Sequence, residues 1–138
     1  MRNFFAILFV SVLMAAFAFI CLLFSALQDG PSVDTISKRV CDALMVSPAN
    51  IRYLGGCLGR DPAAFFEVTG NLPEKAELRP LSGWYKTHLA RLFNANAKIN
   101  HVPYIADGDA DLLYHKWDVF DLVVVEKGMY RCVFYFGF

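Results

Sequence analysis

The last twenty-two residues, Trp117–Phe138, read WDVFDLVVVEKGMYRCVFYFGF. Two runs rich in valine, phenylalanine and tyrosine, Trp117–Glu126 and Met129–Gly137, flank Lys127-Gly128. Branched and aromatic side chains fit a pleated, half-buried surface, and glycine permits the tight turn between them, so this stretch predicts a C-terminal β-hairpin. In its second strand Tyr130, Cys132, Phe134, Phe136 and Phe138 alternate onto one face.

Working back along the chain, Leu81, Trp84, Tyr85, His88, Leu89, Leu92 and Phe93 recur at helical spacing, with Lys86, Thr87 and Arg91 on the other side. This is the pattern of an amphipathic helix, capped by Ser82 and ending near Asn94–Asn96. Its apolar face, with Trp84, Leu89, Leu92 and Phe93, is expected to be buried against a sheet that includes Val123, Val125, Phe134 and Phe136. An earlier helix is expected after Ser32, whose hydroxyl suits an N-cap, with Asp34 complementing the helix dipole and Val33, Ile36, Val40, Ala43 and Leu44 on one side. Ser47-Pro48 marks its end. Between the two helices, Ile51–Leu54 and Ala64–Thr69 have strand chemistry, Gly55–Gly59 reads as a loop, and Asn71–Pro80 as a surface connection. Together these elements predict an α+β domain, about two helices packed on one side of a small antiparallel sheet that ends in the C-terminal hairpin.

The N-terminal segment is of a different kind. From Phe4 to Leu27, 22 of 24 residues are apolar, the exceptions being Ser11 and Ser25, with no charge, proline or glycine. As a helix this run spans about 36 Å, enough for a hydrocarbon core of roughly 30 Å. The chain therefore divides into an N-terminal transmembrane anchor, residues 1–28, and an extramembrane α+β domain, residues 29–138. A cleaved signal peptide is the competing reading. Against it, the apolar run exceeds the usual signal core, and Phe24-Ser25-Ala26-Leu27-Gln28 is a poor cleavage site. Counted alone, Lys38 and Arg39 beyond the helix against Arg2 before it do not favour a cytoplasmic N-terminus. Asp29 and Asp34 partly offset them, however, and the three-residue tail resembles a signal anchor, so the expectation is a cytoplasmic N-terminus with the domain on the extracytoplasmic side. Ser11, Ala15, Ala18 and Ser25 place small side chains along one helix face, where another transmembrane helix can approach closely.

The composition excludes some function classes. Thirteen basic and thirteen acidic residues leave no net charge, and no basic footprint for a nucleic acid. Four cysteines occur without a Cys-x-x-Cys pair, so structural zinc and thioredoxin chemistry are not indicated. In an exported domain Cys41 and Cys57 form a possible disulfide, the pairing with the shortest loop. Asp107, Asp109 and Asp111, with Asp118 eleven positions after Asp107, have calcium-loop spacing. Leu112 stands where such a loop needs glycine, however, and aspartate replaces the closing glutamate. The expected alternative is a solvated turn capping a short helical turn over Leu112–His115. His101, Asp109 and His115 make a weak metal set, and His88 lies on an apolar helix face as a packed histidine. No nucleophile elbow or glycine-rich phosphate loop is present.

These features predict a non-catalytic single-pass membrane protein without a cofactor, acting as an accessory or assembly subunit of a larger membrane complex. Its expected partners are integral membrane subunits and the lipid bilayer. The alternative is an anchored or secreted binding module, for example an inhibitor of an exported enzyme or toxin.

Overall fold

The computed structural model describes residues 2–28, 30–117 and 119–137. Three α-helices accompany a six-stranded antiparallel sheet: α1 (Arg2–Gln28), α2 (Val33–Leu44), β1 (Ile51–Cys57), β2 (Ala63–Val68), β3 (Arg79–Pro80), α3 (Gly83–Ile99), β4 (Asp111–Lys116), β5 (Phe120–Lys127) and β6 (Tyr130–Gly137). The strand order is β1-β2-β6-β5-β4-β3. The C-terminal hairpin forms as the sequence predicts: Phe120 pairs with Gly137 and Lys127 with Tyr130, and Gly128 takes the positive φ of 60° that the turn requires. The hairpin lies at the centre of the sheet, with β2 added on one side and β4 on the other.

The two domain helices cover opposite faces of the sheet, which corrects the expectation of helices on one side. Ile36, Val40, Ala43 and Leu44 of α2 pack with Ala64, Phe66, Val68, Phe120, Leu122, Val124, Val133 and Tyr135. Leu89, Phe93 and Ala97 of α3 pack with Phe65, Leu112, Val123, Val125, Cys132 and Phe134. Successive strand residues point to opposite faces, so a central strand covered on both sides must be apolar almost throughout. The run Leu122-Val123-Val124-Val125 is this signature.

Several local readings change with that architecture. β1 continues through Gly55 and Gly56 to Cys57, where the sequence reads as a loop. Leu54 is the extra residue of a register shift between Tyr53 and Gly55, and glycine lets the strand bend there and approach its neighbour closely. Leu112–His115 is extended in β4, not helical, because pairing with Leu122–Val125 satisfies its backbone along the sheet. Asn71–Pro80 holds a 3-10 turn over Glu74–Ala76 and the two-residue β3. At α2, Ser32 caps as expected, its Oγ accepting from the Thr35 amide at 3.2 Å. The helix ends at Leu44, with Met45 left-handed at φ 54°, before the proline is reached.

Only part of the apolar stripe of α3 meets the core. Leu89 and Phe93 are buried and Leu92 partly so, as expected. Trp84 is 70% exposed and Tyr85 64%, so the expected burial of Trp84 is overturned. The buried side chains of α3 are Leu89, Phe93 and Ala97, one turn apart, and its first turn projects beyond them.

Gly30 joins the helical segment to the domain. A side chain there would lie 1.8 Å from the Leu58 carbonyl oxygen and 2.2 Å from that of Gly59. The backbone at Gly30 is therefore seated directly on the β1–β2 loop, two positions beyond the end of α1.

Candidate functional site

The residues singled out in the sequence do not converge on one site. Ser11, Ala15, Ala18 and Ser25 lie on α1, all exposed. The Ser11 hydroxyl donates to the Ile7 carbonyl at 2.9 Å, so it can receive a bond from a neighbouring helix without leaving its own. The four cysteines are free, Cys41 and Cys132 buried and Cys21 and Cys57 exposed; no disulfide joins Cys41 to Cys57. Burial pushes the Cys41 thiol up, and pushes Cys132 up to about 12, which removes the thiolate that reactive cysteines need.

The aspartate turn is occupied by the protein itself. The Asp107 carboxylate pairs with Lys127, which holds it below the usual carboxylate range, and also accepts from the Asp109 amide at 3.2 Å. Asp111 opens β4 opposite Glu126, so the chain runs straight where a calcium loop would curl around its ion. Asp118 lies outside the described residues. His101 follows α3 with φ 55°, and His115 sits in β4 opposite Leu122. Among the described residues no three histidines, cysteines or carboxylates come together to hold a metal.

Among the described residues two polar side chains are buried, Asp121 and His115, and His115 is the one left unpaired. It is 6% exposed, and its Nε2 is enclosed without a hydrogen-bond partner. With Glu77, Arg79, Tyr114, Lys116 and Trp117 it lines a cavity of about 510 Å³. Its ring lies 5.4 Å from that of Trp117.

An apolar groove lies at the far end of the hairpin. Pro103, Tyr104, Ile105, Val125, Met129 and Tyr130 line a cavity of about 680 Å³, with the Lys127–Asp107 pair on its border. Ile105 is 65% exposed and Met129 fully so. One wall is fixed: the Tyr104 hydroxyl donates to Glu67 Oε2 at 3.0 Å, and Arg52 donates to the same oxygen. The sequence contains one sign of the groove, apolar Ile105 and Met129 in connecting segments where polar residues are usual.

The polar supports of this face make alkaline behaviour predictable. Burial, and then donation to Glu67 and Asp121, pushes Tyr104 and Tyr114 each up to about 12. An unfolded tyrosine ionises near pH 10. Folding therefore favours the protonated phenols, and their stabilisation is complete below about pH 10 and lost as pH rises through about 12. Followed by phenolate absorbance, an alkaline titration should show Tyr104 and Tyr114 ionising late, together with unfolding, and burial raises Tyr53 as well. Release of both protons near pH 10 from the folded domain would contradict this arrangement.

The chain matches no protein-family profile, no curated protein and no solved structure.

Proposed function

We propose that this chain is a non-catalytic, single-pass membrane protein, an accessory or assembly subunit of a larger membrane protein complex. One observation carries the reading. The segment Phe5–Ser25 of α1 has a mean hydropathy of 2.9, and none of it is buried against its own domain. So much apolar surface, left bare by the domain, requires another apolar environment, and lipid or the helices of other subunits supply one. The small side chains of Ser11, Ala15, Ala18 and Ser25 support a helix partner on one face. We assign the domain to the extracytoplasmic side, with Asp29 and Asp34 partly offsetting Lys38 and Arg39 beyond the helix.

The test is retention followed by co-purification. The intact chain should stay with membranes through carbonate washing, and a mature N-terminus near Gln28 would end the anchor reading. Ala15→Phe should then reduce recovery of membrane partners about five- to thirtyfold, the effect of losing about 1–2 kcal/mol of helix contact in lipid. Leu13→Phe, on another face, should behave as wild type. Equal recovery from Ala15→Phe and wild type would remove the helix-contact reading. The apolar groove at the hairpin tip favours the second reading, an anchored or secreted module that grips a soluble protein, and that outcome would make it the better one.

A further inference from the structure

We infer that the anchored end of the domain is seated in the headgroup layer of the bilayer, held there by Trp84 and Trp117 on opposite faces of the sheet. The inference rests on the reading of α1 as a membrane span.

The position of the membrane end follows from chain connectivity. α1 ends at Gln28, and Gly30 is packed on the carbonyls of Leu58 and Gly59. Two residues reach at most about 7 Å, so the end of the helix cannot lie farther than that from the β1–β2 loop. The loop sits at one end of the strands. The Gly137 amide donates to the Pro62 carbonyl at 2.9 Å, Gly137 pairs with Phe120, and the Trp117 amide donates to the Phe120 carbonyl at 2.9 Å. One continuous row of backbone contacts therefore leads from the anchor to Trp117.

Exposed aromatic residues collect at this end on both faces. On the α2 side, Trp117 stacks on Phe120 with ring centroids 5.8 Å apart; it is 43% exposed and Val119 beside it 56%. On the α3 side, Tyr85 and His88 share a cavity with Asp121 and Phe136, which pair one rung in from Phe120 and Gly137. Trp84 stacks on that same His88 at 5.1 Å, with the rings 9° from parallel. The sequence contains two tryptophans, and both are here, although they belong to different elements and different faces.

The chemistry selects the occupant. An indole has a large apolar body and one N–H donor, so it is best placed where hydrocarbon meets water. Tryptophan and tyrosine concentrate at membrane interfaces for that reason. The anchor enters beside β1 and β2, while the aromatic residues lie beside β4 and β5, about 15–20 Å across the sheet at 4.8 Å per strand. A covalent tether at one side and aromatic seats at the other would hold the domain upright and keep the apolar groove at the hairpin tip away from lipid.

The full-length chain, reconstituted into phosphatidylcholine vesicles, tests this directly. Single-tryptophan variants Trp84→Phe and Trp117→Phe are compared in ordinary lipid and in lipid brominated near the glycerol end of its acyl chains, with flotation recorded on the same samples. Each remaining tryptophan should lose about half its emission in the brominated lipid, as an indole at the interface must. Unchanged emission in vesicles that carry the floating protein would overturn the seating and leave the anchor standing. Quenching of one tryptophan alone would overturn the two-faced seat. Failure to float would refute the anchor, and the seating with it.

Discussion

Replacing Phe65 with alanine is expected to destabilise the domain by about 3–5 kcal/mol, the usual range for removing a buried phenylalanine. Phe65 has no exposed surface and stands at the centre of an aromatic trio. Its ring lies 4.7 Å from Phe134 in a stacked geometry and 5.3 Å from Phe93 edge-on, and Phe93 meets Phe134 edge-on at 6.0 Å. These three rings join β2 and β6 to α3, so the lost area, the cavity and two ring pairings fall together on one substitution. Small domains are stable by about 5–15 kcal/mol in total, and this change consumes a large share of it. Equilibrium denaturation, with Trp84→Ala as a control, is the measurement. The exposed indole should change stability by less than about 0.5 kcal/mol. A loss below about 1 kcal/mol for Phe65→Ala would mean that the trio does not pack as described.

Gly56→Val should have an effect of comparable size by the opposite route. A side chain at Gly56 would meet the Ala63 carbonyl oxygen at 2.2 Å and the Ala64 Cα at 2.7 Å. Both are backbone atoms of the paired strand, which cannot swing aside as a flexible side chain would. β1 must therefore separate from β2 locally, losing ladder bonds and the packing of Leu54 against the α3-side core, at a cost of about 3 kcal/mol or more. Hydrogen exchange should show amides of β1 and β2 opening while those of β5 stay protected. Gly108→Ala provides the comparison, since nothing lies within 4 Å of that position. Equal stability of Gly56→Val and wild type would refute the close approach.

The parts of the fold written locally were legible in the sequence. Branched residues around Lys127-Gly128 announce a hairpin through short-range chemistry alone, and Ser32 caps α2 by reaching an amide three residues away. What depends on distant partners was not. Leu112–His115 reads as a turn beside an acidic cluster, and becomes β4 because Leu122–Val125 lies alongside. Gly55 and Gly56 read as a loop because glycine is usually placed for freedom; here the bulge and the close approach of β2 call for it. Periodicity places Trp84, Tyr85 and His88 on the apolar side of α3 but cannot tell a core from a surface, since an indole suits both. The aspartate turn was visible, but its pairing with Lys127 was not, because that lysine belongs to a strand twenty residues on. Ile105 and Met129 carry no periodic signal for the same reason: a groove built from two connections has no period.

The register shift in β1 bears on how copies of the chain would live together. Crowded copies of a sheet protein meet edge to edge, and a straight unpaired strand is a template for joining another. One border of this sheet is β1, bent by its extra residue Leu54 beside two glycines. The other border is β3, two residues long and ending in Pro80, which has no amide hydrogen to offer. Neither border presents the flat run of donors and acceptors from which a shared ribbon grows. Many copies of the domain could lie side by side without their sheets fusing into a fibril.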